Sequence, residues 1–94
     1  MINFIDLFNA VAKFVRPAHH DYEPFTNENQ LFTDSSLDSL DMLMLGIYMC
    51  EIYGISEEIG KTMQPTNIAE MKAFISEHKT KDPESIDAAL ELIK

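Results

Sequence analysis

Ninety-four residues suffice for one domain with a single modest core and exclude two. At 46% hydrophobic with a formal net charge of −9, the chain is apolar enough to fold but too acidic for a nucleic-acid phosphate backbone. The seven Lys and Arg are scattered and build no basic face, so the expected partners are basic proteins. A single cysteine, Cys50, excludes an internal disulfide and, set among apolar residues, reads as a buried, unreactive thiol in a reducing compartment, the cytosol. Residues 1–15 carry Asp6 and lack both the positive lead and the small-residue cleavage site of a signal peptide, and no apolar run is long enough to span a membrane.

In chain order, Phe4, Ile5, Leu7, Phe8, Val11, Ala12, Phe14 and Val15 share a broad face of a first helix. Asn3, Asp6, Asn9, Lys13 and Arg16 recur on the other face, and Pro17 stops the helix because it lacks an N–H and disfavours helical geometry before it. From Pro17 to Ser36 runs a long connection with Pro24 and several Asn and Asp residues, expected to be pinned to the core by Tyr22, Phe25, Leu31 and Phe32. A loop of this length in a small domain tends to be functional.

A second helix is expected to open at Asp38, whose carboxylate caps the first turn with Asp41 in a capping-box position, and to run to about Tyr53. Gly54 supplies the left-handed residue that closes it. Between Leu40 and Tyr53 only Asp41, Gly46 and Glu51 are not apolar, more than one buried face can account for. Ser56 opens a third, one- or two-turn helix that ends before Pro65. Asn67 begins a further helix, with Glu70 completing a capping box and Ile68, Met71, Phe74 and Ile75 on its core face. Asp82 and Pro83 form a cap-plus-N1 start for a last helix striped by Ile86, Ala89, Leu90 and Ile93. No alternating strand pattern occurs, so the fold is expected to be an all-α bundle.

The stretch Leu37-Asp38-Ser39-Leu40-Asp41, at the junction of the long loop and the apolar helix, resembles the signature of acyl carrier proteins. Tyr53-Gly54-Ile55 resembles the aromatic-containing end of that family's second helix, and Thr66-Asn67-Ile68 the Thr-x-hydrophobic start of its last. The resemblance covers roughly residues 2–78. It implies a four-helix bundle with a long loop after helix 1, residues 1–78 forming the carrier domain; residues 79–94 lie beyond what the family motif covers and are expected to form an additional C-terminal helix whose apolar stripe packs on the same domain, the alternative being that it binds a partner. It further implies that a phosphopantetheinyl transferase moves 4'-phosphopantetheine from coenzyme A to the Ser39 hydroxyl, that Asp38 helps that enzyme position its metal and the phosphate, and that Leu40 anchors the helix start.

The site also has its own physical logic. A serine in the first turn of a helix is exposed, and a phosphodiester on it lies near unsatisfied N–H groups and the positive helix end, a benefit of about 0.5–1 kcal/mol. Asp38 and Asp41 oppose that benefit, so their presence needs another reason. The competing reading of Asp38-Ser39 is an ordinary helix cap beside a solvated serine. Ser36 precedes Leu37 and would be the modified residue if the register were shifted.

The expected partner-facing residues are Asp41, Met42, Met44 and Glu51. In carriers of primary fatty-acid synthesis the second helix presents several glutamates, yet here Met44 and Cys50 stand at positions often acidic in the family. That departure favours a specialised fatty-acid, polyketide or lipopeptide pathway. Met42, Met44 and Met49 either line an acyl pocket, contact partners through an adaptable surface, or belong to the core. The implied partners are acyl-activating, ketosynthase or acyltransferase enzymes, without nucleic acid or membrane, and a monomeric, non-catalytic chain is expected. No Gly-x-Ser-x-Gly elbow, recognisable Cys-His pair or phosphate-cradling glycine loop points to an enzyme. The His19-His20-Asp21 run lacks the partners of a metal site, since adjacent side chains of an extended loop diverge, and His78 reads as a solvated helix-end residue. The alternatives are an unmodified helical interaction module and a peptidyl or aminoacyl carrier.

Overall fold

The computed structural model describes residues 3–15, 24–35 and 37–93. Among them stand five α-helices and no strand: α1 (Phe4–Val15), α2 (Ser39–Ile52), α3 (Glu57–Gly60), α4 (Ile68–His78) and α5 (Ile86–Ile93), with a 3-10 turn at Phe32–Asp34 between α1 and α2. The fold is therefore all-α.

The expected apolar face of α1 is the buried one, with Leu7, Phe8, Val11 and Ala12 fully enclosed, and Asn3 caps the helix by accepting the Ile5 and Asp6 N–H groups. Against Phe8 the long connection folds back. Phe32 stacks on the Phe8 ring at 5.4 Å, and Phe25 meets both rings edge-on at 5.3 and 5.7 Å. Aromatic pairs of this geometry each contribute about 0.5–1.5 kcal/mol beyond burial, so the loop is held by side chains where a regular hydrogen-bond ladder is missing. Leu31, expected to help pin the loop, does not: it is 43% exposed. Its backbone bridges to Asn67 while the Phe32 N–H donates to the Thr66 carbonyl, which turns residue 32 inward and residue 31 out. Pro17, His19, His20, Asp21, Tyr22 and Ser36 lie outside the described residues.

The central element is α2, which packs on α1, α3 and α5. It ends with Tyr53 as cap and Gly54 in the left-handed region at φ +68°. Asn67 caps α4 by accepting the Glu70 N–H at 2.8 Å. The return half of the expected capping box differs, because the Glu70 carboxylate reaches one residue further to the Thr66 N–H and hydroxyl. The Thr66 backbone and hydroxyl bonds hold Glu70 below the usual carboxylate range. Ile68, Met71 and Ile75 fill the core from α4, while Phe74, expected beside them, is only half-buried. Phe74 sits instead against His78 with ring centroids 4.5 Å apart, so that histidine, the last residue of α4 as expected, is half-buried against a ring where a solvated side chain was expected.

The start of α5 also departs from expectation. Asp82 does not cap it; its carboxylate pairs with Lys79 at 2.7 Å, and the helix begins at Ile86 with the Ser85 hydroxyl accepting the Ala88 N–H. Ala89 and Ile93 are buried, and α5 packs on α1 and α2.

Candidate functional site

The local sequence around Ser39 forms a complete helix start. Asp38 Oδ1 accepts the Asp41 N–H at 2.8 Å, and Asp41 Oδ2 accepts the Asp38 N–H at 3.2 Å, a reciprocal capping box. Removal of such a cap costs about 0.5–2 kcal/mol, so both aspartates have a structural role whatever else they do. Ser39 is the first helical residue and is exposed, and its hydroxyl makes no hydrogen bond among the described residues.

The expected anchoring role of Leu40 is overturned. Leu40 is 66% exposed, the most open of the large apolar residues among those described, whereas Leu37 is 7% exposed. The reason is helical geometry: at 100° per residue, residue 40 falls on the side of α2 away from the buried Leu45, Met49 and Ile52. Leu37, just before the cap, and Met42, four residues after it, occupy the two positions of a hydrophobic staple. That spacing was present in the sequence and is the signal that finds the true anchor.

The uniform apolarity of α2 resolves into distinct faces. Leu45, Met49 and Ile52 are fully buried toward the core. A second face, running from Ser39 through Met42, Leu43, Gly46 and Ile47 to Cys50 and Glu51, lines a cleft of about 900 Å³. The facing wall is built by Ile55, Glu57, Gly60, Lys61, Met63, Gln64, Pro65 and Thr66, and the cleft reaches Phe32, Leu37 and Met71 in the core. Its lining is mostly apolar, with carboxylates of Asp38, Glu51 and Glu57 and one lysine, Lys61, among the polar residues. Asp38 and Ser39 stand at its α2 N-terminal end.

Of the three methionines in question, Met42 lines the cleft and packs on the core, Met49 is core, and Met44 is half-buried and outside the cleft lining. Met63, from the irregular segment after α3, was not anticipated as a cleft residue because no periodicity marks it. Asp41 is half-buried and occupied by the capping box, while Glu51 is exposed at the cleft. Cys50 is buried, and desolvation pushes its thiol above the ordinary range, so it is protonated and poorly nucleophilic at neutral pH.

Two glycines line the cleft. A Cβ on Gly60 would sit 3.0 Å from Cys50 Sγ, which makes this the tight point between the helices. Gly46 lies in the interior of α2, where glycine costs roughly 1 kcal/mol relative to alanine, and a Cβ there would meet only the Met63 methyl, at 3.4 Å. Leu40, Leu43 and Ile47 form an exposed apolar stripe along the same helix.

The chain matches no protein-family model, and comparison with curated proteins and with solved structures gives no match.

Proposed function

We propose that the chain is an acyl carrier protein, with a 4'-phosphopantetheine arm borne on Ser39 and acyl intermediates of a specialised lipid, polyketide or lipopeptide pathway held on that arm. The observation that carries this reading is a single juxtaposition: an exposed serine at the first position of a helix, at one end of a large apolar cleft.

The residues present fit the group. Ser39 offers an unencumbered hydroxyl, and the first turn of α2 directs N–H groups toward a phosphate attached there. The Asp38 and Asp41 carboxylates are tied to each other's backbone N–H groups, which holds both in place for the positive face of a modifying enzyme. In the attachment reaction the Ser39 oxygen bonds to the pantetheine-side phosphorus of coenzyme A, one pyrophosphate P–O bond breaks, adenosine bisphosphate leaves, and the serine proton passes to a base of the transferase. The arm, when bound, supplies a thiol that carries acyl groups as thioesters. The cleft then gives an apolar chain a place out of water, at about 0.8 kcal/mol per buried methylene. This favours acyl over aminoacyl cargo. The exposed stripe of Leu40, Leu43 and Ile47 gives partner enzymes an apolar surface to meet, in place of a row of acids.

Intact-mass measurement after incubation with coenzyme A and a broad-specificity phosphopantetheinyl transferase tests the reading. The expected result is gain of one arm by the wild type and none by Ser39→Ala. No gain by a folded wild type would replace the reading by an unmodified interaction module that presents the α2 stripe.

A further inference from the structure

We infer that Ser35 is a positioning residue that presents Ser39 for attachment of the arm; this rests on the carrier reading. The Ser35 hydroxyl is used twice within one turn. It donates to the Phe32 carbonyl at 2.6 Å and accepts the Leu37 N–H at 3.2 Å, while the Ser35 N–H donates to the same Phe32 carbonyl at 3.0 Å. A hydroxyl engaged on both sides is not itself the one to be modified. Ser35 is not among the residues that line the cleft, so it acts on Ser39 through its neighbours.

What those bonds join decides the assignment. Phe32 is fixed to the rest of the molecule twice over, by its ring on Phe8 at 5.4 Å and by its N–H on the Thr66 carbonyl at 2.9 Å. Leu37 is buried, and the residue after it, Asp38, is the cap whose box with Asp41 starts α2 at Ser39. The Ser35 hydroxyl thus ties the end of the 3-10 turn to the residue before the α2 cap. Its consequence is kinetic. In arm transfer the Ser39 oxygen bonds to the pantetheine-side phosphorus of coenzyme A as the pyrophosphate P–O bond breaks, adenosine bisphosphate leaves and a transferase base takes the serine proton. A misplacement of about 1 Å at a reacting atom can cost roughly a hundredfold in rate, so a serine held in place beforehand reacts faster than one ordered at each encounter.

The test measures kcat and KM for the chain as substrate of a broad-specificity phosphopantetheinyl transferase with coenzyme A, in wild type, Ser35→Ala, Ser35→Thr and Thr80→Ala. Threonine keeps the hydroxyl and suits the extended backbone of residue 35, at φ −102° and ψ 175°. Thr80→Ala is the control, since it also deletes one hydroxyl, the one that donates to the Gly54 carbonyl at 2.7 Å beyond the far end of α2. Unfolding temperatures verify that each variant is folded at the assay temperature. Ser35→Ala is expected to lower kcat about tenfold with KM within about twofold of wild type, because the exposed face of α2 is untouched and only the reacting oxygen is misplaced. Ser35→Thr should restore kcat, and Thr80→Ala should leave it unchanged. Ser35→Val, which has the shape of threonine without its hydroxyl, takes the place of Ser35→Ala if that variant does not fold. A wild-type kcat in the variant without the hydroxyl, a loss carried by KM alone, a fall matched by Thr80→Ala, or a fall that Ser35→Thr does not restore overturns the inference and leaves the carrier reading standing. Absence of any mass gain on folded wild type overturns the carrier reading and this inference with it.

Discussion

The side-chain amide of Asn9 is matched to the peptide unit of Phe25: Nδ2 donates to the Phe25 carbonyl at 2.9 Å and Oδ1 accepts the Phe25 N–H at 2.8 Å. One side chain thereby replaces the two backbone partners that an irregular segment lacks, at the point where the loop turns its first phenylalanine into the core. Asn9→Ala removes both bonds and leaves the peptide groups of a buried residue without that partner, a loss of about 1–3 kcal/mol. For a domain of this size each kcal/mol lowers the unfolding temperature by roughly 4–8 °C. Calorimetric or circular-dichroism melting checks this, and an unchanged melting temperature would show that the clamp is dispensable.

Leu37 and Leu40 should behave oppositely on truncation. Leu37→Ala empties a buried site and should destabilise by about 2–4 kcal/mol, whereas Leu40→Ala, at an exposed position, should stay within about 0.5 kcal/mol of wild type. Denaturant titration of the two variants decides it. If the α2 stripe meets partners, Leu40→Asp should weaken binding to an acyl-transfer partner without altering stability, and the wild-type affinity should vary little with salt. A steep salt dependence would reassign recognition to the acids.

Gly54 and Thr80 are coupled. Residue 54 lies at φ +68°, where a side chain is strained, and a Cβ there would collide with the Thr80 hydroxyl, which itself donates to the Gly54 carbonyl at 2.7 Å. Gly54→Ala should cost about 1–2 kcal/mol from the backbone alone, and more from the collision. Combining it with Thr80→Ala should be less damaging than the sum of the two single changes, as a double-mutant cycle on unfolding free energies would show.

Stability should decline on the alkaline side. Burial pushes both the Cys50 thiol and the Tyr53 phenol up, with the Asp82 charge adding to the second. Each group then holds its proton to higher pH in the folded than in the unfolded chain, so its contribution is complete below the unfolded value and is lost as pH rises through the folded one. The decline should begin near the free-thiol value of about 8.5 and continue past the phenol value of about 10. Urea midpoints measured across this range should fall for the wild type, and Cys50→Ala should flatten the first part of the fall.

The starts of α2 and α4 were legible because each is specified by residues three apart: Asp38 with Asp41, and Asn67 with Glu70. Gly54 was legible for the same local reason. Asp82-Pro83 misled because Asp82 pairs with Lys79, three residues before it, and the cap of α5 falls to Ser85 instead. Ser39 itself could be singled out from its neighbours, but the cleft could not. Apolar residues that line a cleft and apolar residues that fill a core obey the same helical period, so Met42 and Met49 read alike until α3 and residues 61–66 are seen to face one and not the other.

The walls of that cleft differ in firmness. The long connection is stitched to the approach to α4, with the Phe32 N–H on Thr66, the Ala69 N–H on Glu28 and an ion pair from Lys72 to Glu28. By contrast α3 is a single turn with no buried residue. Local opening free energy follows buried contact, so amide exchange should be faster along residues 57–60 than across α2. The cleft is thus a vise with one soft jaw, whose α3 side yields more readily than the helix that carries the serine.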